Sequence, residues 1–241
     1  MTNARENNIA TEANIPKRGK ARTGSKFRQN IAFFETIVTI LGYLYLLAQT
    51  SLTSDVPVDA LLTIRFWLMT IFGVIYILRV NVMMRFLLPR EVSNEELGFV
   101  LLIFVPGLMA SFAFAANGCN EDINITLAFV SVCLYMVGSC LNSGSELQRK
   151  RWKAKPENKG KCYSEGLFSL ARNINYFGDV ILFSAWALVS GRWWNAWVPL
   201  FMLASFVFYH IPEKEKYLAK RYPNEWPAYS AKTKKLIPFI Y

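Results

Sequence analysis

The chain reads as an all-α polytopic membrane protein, a transmembrane helix bundle of about six spans with both termini on the basic side. Three observations predict this. Of 241 residues, 53 % are hydrophobic and 15 % aromatic while only 18 % are charged, against about 25 % charged in a soluble domain. The mean hydropathy is +0.22. Lys and Arg are clumped, with seven in 1–28, seven in 149–161 and seven in 214–235. Each clump flanks an apolar run, as a positive-inside topology requires. The net charge of +10 is then accounted for by an anionic membrane surface. Nucleic acid is not an expected partner.

Residues 1–29 predict a basic, flexible tail, with Arg5, Lys17, Arg18, Lys20, Arg22, Lys26 and Arg28 among small polar residues. No cleavable secretory signal is read there, and Glu6 and Glu12 count against a mitochondrial presequence. A four-span membrane half follows over 30–143, with apolar stretches Ile31–Thr50, Leu61–Leu78, Leu97–Ala116 and Ile125–Leu141. The half over 144–241 carries two more, Ile174–Ser190 and Trp193–Tyr209, and a tail expected to lie at the interface as a helix and a strand. Each stretch is near the roughly 17–25 residues that a helix needs to cross about 30 Å of hydrocarbon. The segments 51–60 and 117–124 carry Asp55, Asp59, Glu121 and Asp122 but no Lys or Arg, and fall on the outer side. The basic loop 144–172 falls on the other. The sequon at Asn124 lies too close to the fourth span to carry weight.

Catalytic classes narrow quickly. Cys119, Cys133, Cys140 and Cys162 form no C-x-x-C pair, and His210 is the one histidine. A disulfide framework, a metal site and a His-based triad are therefore not expected. His210 reads as a polar residue at a helix end. Polar side chains inside spans are costly and so draw attention. These are Glu35, Arg65, Arg79, Asn142, Glu146, Arg172, Asn175 and Asp179. Glu35, Arg65 and Arg79 sit near span ends and are expected to be structural, the arginines by snorkelling.

The density of such residues is highest between Glu146 and Asp179. Arg149, Lys150, Arg151, Lys153, Lys155, Lys159 and Lys161 surround Trp152. That reads either as a solvated positive-inside loop or as a site for a phosphorylated ligand, whose oxygens pair with Arg and Lys. Arg172, Asn175, Tyr176, Gly178 and Asp179 then fall within eight positions at a helix entrance. Gly178 allows close approach by a ligand or a neighbouring helix.

At these residues a resemblance enters. The run Ala171-Arg172-Asn173-Ile174-Asn175-Tyr176-Phe177-Gly178-Asp179 resembles the R-x-x-N-Y-x-G-D signature of membrane sterol reductases. The stretch from Gln148 through Arg149, Trp152 and Lys153 to Pro156 is similar to that family's Q-K-x-x-F-R-x-x-P segment. Tyr222-x-x-x-Trp226-x-x-Tyr229 and the ending Lys235–Tyr241 are similar to its closing tail. The match covers roughly residues 144–241. It looks most like the short steroid-reductase-like branch, in which Arg79-x-Asn81 and the loop to Glu96 also recur. The same superfamily holds isoprenylcysteine carboxyl methyltransferases and phospholipid methyltransferases, and Glu215-x-x-Leu218 is shared with them. The Asn175-Tyr176 pair and Asp179 favour the reductases. Asn173 stands where both groups carry histidine.

The resemblance implies NADPH as cofactor, with S-adenosylmethionine as the alternative. It implies that Gln148, Arg149, Trp152, Lys153, Arg172, Asn175, Tyr176, Gly178, Asp179, Trp226 and Tyr229 bind the cofactor. It implies reduction of a carbon–carbon double bond in a steroid, sterol or related enone lipid. Hydride goes to one carbon and a proton to the other. Tyr176 is the nominated acid, with Glu35 or Tyr76 as alternatives. A methyltransferase acting on an isoprenoid or phospholipid is the second reading. A non-catalytic subunit of a membrane complex is the third, motivated by Asn173. The bilayer and a steroid- or isoprenoid-like lipid are the expected partners. The location expected first is the endoplasmic reticulum, with the mitochondrial or bacterial inner membrane as alternatives.

Overall fold

In a computed structural model, the residues described are 37, 40–45, 64–83, 105–117 and 123–241. The basic tail, Glu35, most of the first apolar stretch, Cys119 and the segments 51–60 and 84–96 lie outside them. The described part is helical: α1 (Ile64–Val82), α2 (Val105–Asn117), α3 (Ile125–Ser139), α4 (Ser145–Ala154), α5 (Ile174–Ser190), α6 (Trp197–Ser205), α7 (Ile211–Arg221) and α8 (Trp226–Lys232). The one β pairing among the described residues is an isolated bridge between Ala171 and Lys234. The expected strand in the tail is thus reduced to that bridge.

Two of these helices are continued through π turns. The turn Cys140–Gly144 joins α3 to α4, and Phe206–His210 joins α6 to α7. The resulting rods, Ile125–Ala154 with 30 residues and Trp193–Arg221 with 29, are long and apolar enough to cross a membrane. At ~1.5 Å per residue each reaches about 45 Å, longer than the hydrocarbon layer. Their basic ends continue as helix. This corrects the expectation of a loop from residue 144, because SELQRKRWKA loses apolar character without losing helix propensity. Asn124 starts the first rod, its side chain accepting from the Thr126 amide at 2.8 Å. Gly191, at φ 75°, ends α5 in the left-handed conformation.

The helices pack around α5. Trp186 is fully buried at the centre, stacked on Phe112 at 4.6 Å and edge-on to Tyr43 and Tyr76. Buried tyrosines bring a hydroxyl that needs a partner. Tyr43 donates to the Met69 carbonyl at 2.8 Å and Tyr135 to the Phe72 carbonyl at 2.7 Å. Where α3 crosses α5, Gly138 and Gly178 let the two backbones touch. Such small residues permit close helix approach.

Neither arginine of α1 snorkels. Arg65 donates to the Val189 carbonyl in the last turn of α5, at the negative end of that helix. Arg79 turns onto the π turn, donating to Ser143 Oγ at 2.9 Å, Asn142 Oδ1 at 2.7 Å and Ser139 Oγ at 3.3 Å. The hydroxyls and amide of that turn thus satisfy the guanidinium. Arg79→Met is expected to destabilise by about 2–3 kcal/mol, as for charged hydrogen bonds lost from a buried network. Thermal unfolding in detergent reads it, and an unchanged midpoint would contradict the clamp.

Candidate functional site

A cavity of about 420 Å³ lies where α4, α5, α7 and α8 meet the segment 162–172. Asn142 and Glu146 line it from the first rod, with Arg149 and Lys153 a turn and two turns beyond Glu146. Asn175, Tyr176 and Asp179 line it from the first turns of α5, and Lys214, Tyr217, Leu218 and Tyr222 from α7 and its end. Met83, Cys162, Tyr163, Phe168, Arg172 and Tyr229 complete the wall. The size suits a cofactor or a large part of one.

Local chemistry fixes each group. Glu146, 6 % exposed, accepts from Arg149 Nε at 2.9 Å and again from Nη2. Lys153 donates to the Lys161 carbonyl and to Tyr222 Oη at 3.0 Å. Asn142 Nδ2 donates to the Asn175 carbonyl at 3.2 Å, while its Oδ1 holds Arg79. The Asn142 amide, the Arg79 guanidinium and the Glu146 carboxylate are also polar neighbours of Asp179. Asn175 is 7 % exposed, and its Oδ1 has no hydrogen-bond partner. A buried acceptor left open in a cavity wall costs energy unless a donor arrives from the cavity. The Tyr176 ring stacks on Phe206 at 4.4 Å, which fixes its plane.

Arg172 does more than line the wall. Its Nε and Nη2 donate to Glu215 Oε1 at 2.9 and 2.6 Å, and Nη1 donates to the carbonyls of Ser230, at 2.6 Å, and Thr233. Its guanidinium also lies 5.6 Å from the Trp226 ring centre. One side chain thus ties α5, α7 and the tail together. Asn173 extends the tie, its Nδ2 and its backbone amide both donating to the Lys235 carbonyl at 2.9 Å. Asn173 faces the tail and does not line the cavity.

Of the residues singled out in the sequence, the fold gathers Arg149, Lys153, Arg172, Asn175, Tyr176, Asp179 and Tyr229 in one wall. Four others stand outside it. Gln148 Oε1 accepts from the Leu167 amide at 3.0 Å, Trp152 packs on Tyr163 at 5.2 Å, and Trp226 packs on Tyr229 at 5.8 Å. Gly178 meets the neighbouring helix, since a Cβ there would lie 2.6 Å from the Asn142 amide nitrogen. The other cations of the basic segment, Lys150, Arg151, Lys155, Lys159 and Lys161, are exposed. Tyr76 sits in the aromatic core against Phe183 and Trp186. His210 lies 6.3 Å from Tyr176, centre to centre.

Tyr229 is a structural phenol, donating to the Phe168 carbonyl at 2.7 Å. Burial pushes its ionisation, and those of Tyr163 and the Cys162 thiol, upward. All three are held neutral at physiological pH. Sequence reasoning missed Lys214 and Tyr163. For α7 a signal was present: 214, 217–218 and 222 recur at helical spacing on one face of an amphipathic segment.

The family model for a protein of unknown function (DUF1295) matches residues 97–233, more than half of the chain. The chain belongs to this family. Among curated relatives, a Delta(14)-sterol reductase of Schizosaccharomyces pombe is 25 % identical over 176 residues, covering 64 % of this chain and 41 % of the relative. A Delta(14)-sterol reductase of Arabidopsis thaliana is 25 % identical over 232 residues, covering 88 % of this chain and 62 % of the relative. A protein of Ustilaginoidea virens named probable O-methyltransferase is 36 % identical over 113 residues, covering 46 % of this chain and 40 % of the relative. The chain thus spans between 40 and 62 % of the length of these relatives. These likenesses fit a superfamily that joins sterol reductases to membrane methyltransferases.

Proposed function

We propose that this DUF1295 protein is an integral membrane oxidoreductase that reduces a carbon–carbon double bond of a steroid, sterol or related enone lipid with NADPH. In this reading it has six spans, with the cavity and both termini on the basic side. The observation that carries the reading is the make-up of one cavity. Cations from α4 stand in the same wall as an open buried acceptor, Asn175 Oδ1, and the phenol of Tyr176. A phosphorylated cofactor with amide and hydroxyl donors fits that donor set.

NADPH, when bound, supplies the hydride. Arg149 and Lys153, each already held by protein partners, give the basic end of the cavity a positive field, and Asn175 accepts from a donor on the cofactor. Asp179, supported by Asn142 and Arg79, stays polar at membrane depth. Tyr176, its ring fixed on Phe206, gives the proton from its hydroxyl oxygen to the second carbon. The alignment with the Arabidopsis reductase over 88 % of the chain supports the same direction. Asn173, buried against the tail and absent from the cavity lining, also supports an enzyme, since the departure from histidine at this position takes no group out of the cavity wall. Lipid-facing surfaces on the long helices, such as Phe129 and Leu200, and exposed Trp193 and Trp197 at one end, support membrane residence. The endoplasmic reticulum is the proposed location.

A second reading, an S-adenosylmethionine-dependent methyltransferase, is favoured by the 36 % identity over 113 residues. Thermal unfolding of the detergent-purified protein separates the two. NADPH at about 100 times its dissociation constant adds about 2.7 kcal/mol to stability. A shift with NADPH and none with S-adenosylmethionine is the expected result. The reverse result moves the chain to the methyltransferases.

A further inference from the structure

The basic segment 149–161 is the obvious holder of an anionic group, but its two cavity cations are already engaged. Arg149 is forked onto Glu146, and Lys153 is bonded to Lys161 and Tyr222. Arg172, the third cation of the wall, is held by Glu215, and a fourth enters from α7. Lys214, on the second rod, lines the same cavity. Its Nζ lies 4.7 Å from the centre of the Tyr176 ring and 5.7 Å from that of Phe168. Among the described residues it forms neither a hydrogen bond nor an ion pair. Glu146 is occupied by Arg149, and Glu215, next in sequence, is occupied by Arg172.

An ammonium has three donors and is strongly hydrated. Ring faces stabilise its charge but leave those donors unused. On these observations we propose that Lys214 holds the anionic group of the ligand that fills this cavity. That group is a phosphate of a dinucleotide if the reductase reading, on which the choice of ligand rests, is right. A carboxylate of a bound small molecule offers the same chemistry. Lys214 also borders the Tyr176 ring, so the anion would sit beside the group nominated to deliver the proton. Such a ligand bridges the two long rods, from α4 to α7, and its charge draws them together.

The test is amine labelling of the wild-type protein in detergent. Acetic anhydride is pulsed, and the Lys214 adduct is quantified by mass spectrometry against that of exposed Lys216. The arms are NADPH, 2′,5′-ADP, S-adenosylmethionine and adenosine, with the thermal midpoint measured in each. NADPH and 2′,5′-ADP near saturation are expected to slow Lys214 labelling by at least about fivefold. Adenosine, lacking an anion, leaves it unchanged, and Lys216 is unchanged in every arm. Lys214→Gln then weakens NADPH binding by about ten- to a hundredfold, while Lys214→Arg retains most of it. Protection by S-adenosylmethionine and not by NADPH upholds the role of Lys214 and overturns the reductase reading. A raised midpoint with NADPH but an unprotected Lys214 overturns the proposal and leaves that reading standing. Protection in no arm, or equal protection by adenosine, overturns the proposal as well.

Discussion

Arg172→Ala is expected to destabilise the protein by about 3–5 kcal/mol, the range for removing one partner of a buried ion pair. The side chain is 7 % exposed and serves three elements at once. Its loss leaves Glu215 without its partner and the carbonyls of Ser230 and Thr233 without their donor. At roughly 2–4 °C per kcal/mol for a chain of this size, the midpoint falls by about 10 °C. The damage should appear first at the tail. Trp226, Tyr229 and Leu236 are buried only while the tail stays docked, so limited proteolysis after residue 221 should accelerate. Arg172→Lys restores little, because an ammonium cannot reach the two sides of the fork together. If Arg172→Ala unfolds at the wild-type temperature with a protected tail, Arg172 is not the tie described above.

The second large effect is expected at the helix crossing. A Cβ on Gly178 would lie 2.6 Å from the Asn142 amide nitrogen and 2.7 Å from the Gly138 carbonyl. One on Gly138 would lie 2.6 Å from the Gly178 carbonyl and from the Leu182 amide nitrogen. Both obstacles are backbone, which cannot rotate away. Gly178→Ala or Gly138→Ala is therefore expected to cost about 1–3 kcal/mol by forcing the first rod away from α5. The consequence for the site is specific. Separation of α5 from the π turn breaks the 3.2 Å bond from Asn142 to the Asn175 carbonyl. That bond helps fix the cavity wall, so ligand-induced thermal shifts should shrink with stability. A Gly178→Ala protein with full stability and full ligand response would show that the crossing has slack. Gly178→Ala also separates the two meanings of that glycine, since clearance for a ligand would change affinity and leave stability alone.

The sequence by itself determined the helical class and the polar residues worth following. Long apolar runs leave the backbone no partner but its own helix, and buried polar groups are too costly to be accidental. Hence α5 begins and ends where the apolar stretch Ile174–Ser190 does. Hence also Asn142, Glu146, Asn175 and Asp179, all suspect from composition, line one cavity. Tertiary structure decided what those residues do. Arg79 and Arg172 carry the same charge, and both are held by fixed partners chosen by packing from distant parts of the chain. Gly178, read as clearance for a ligand or a neighbouring helix, meets the helix, and Trp226, read as a cofactor contact, sits in an aromatic cluster outside the cavity wall. The role of Lys214 was hidden because it depends on which carboxylates are already paired. Local pattern fixes which face of a helix a side chain occupies. Only the fold fixes what stands opposite it, because hydrogen bonds and ion pairs act over a few ångströms between residues far apart in sequence.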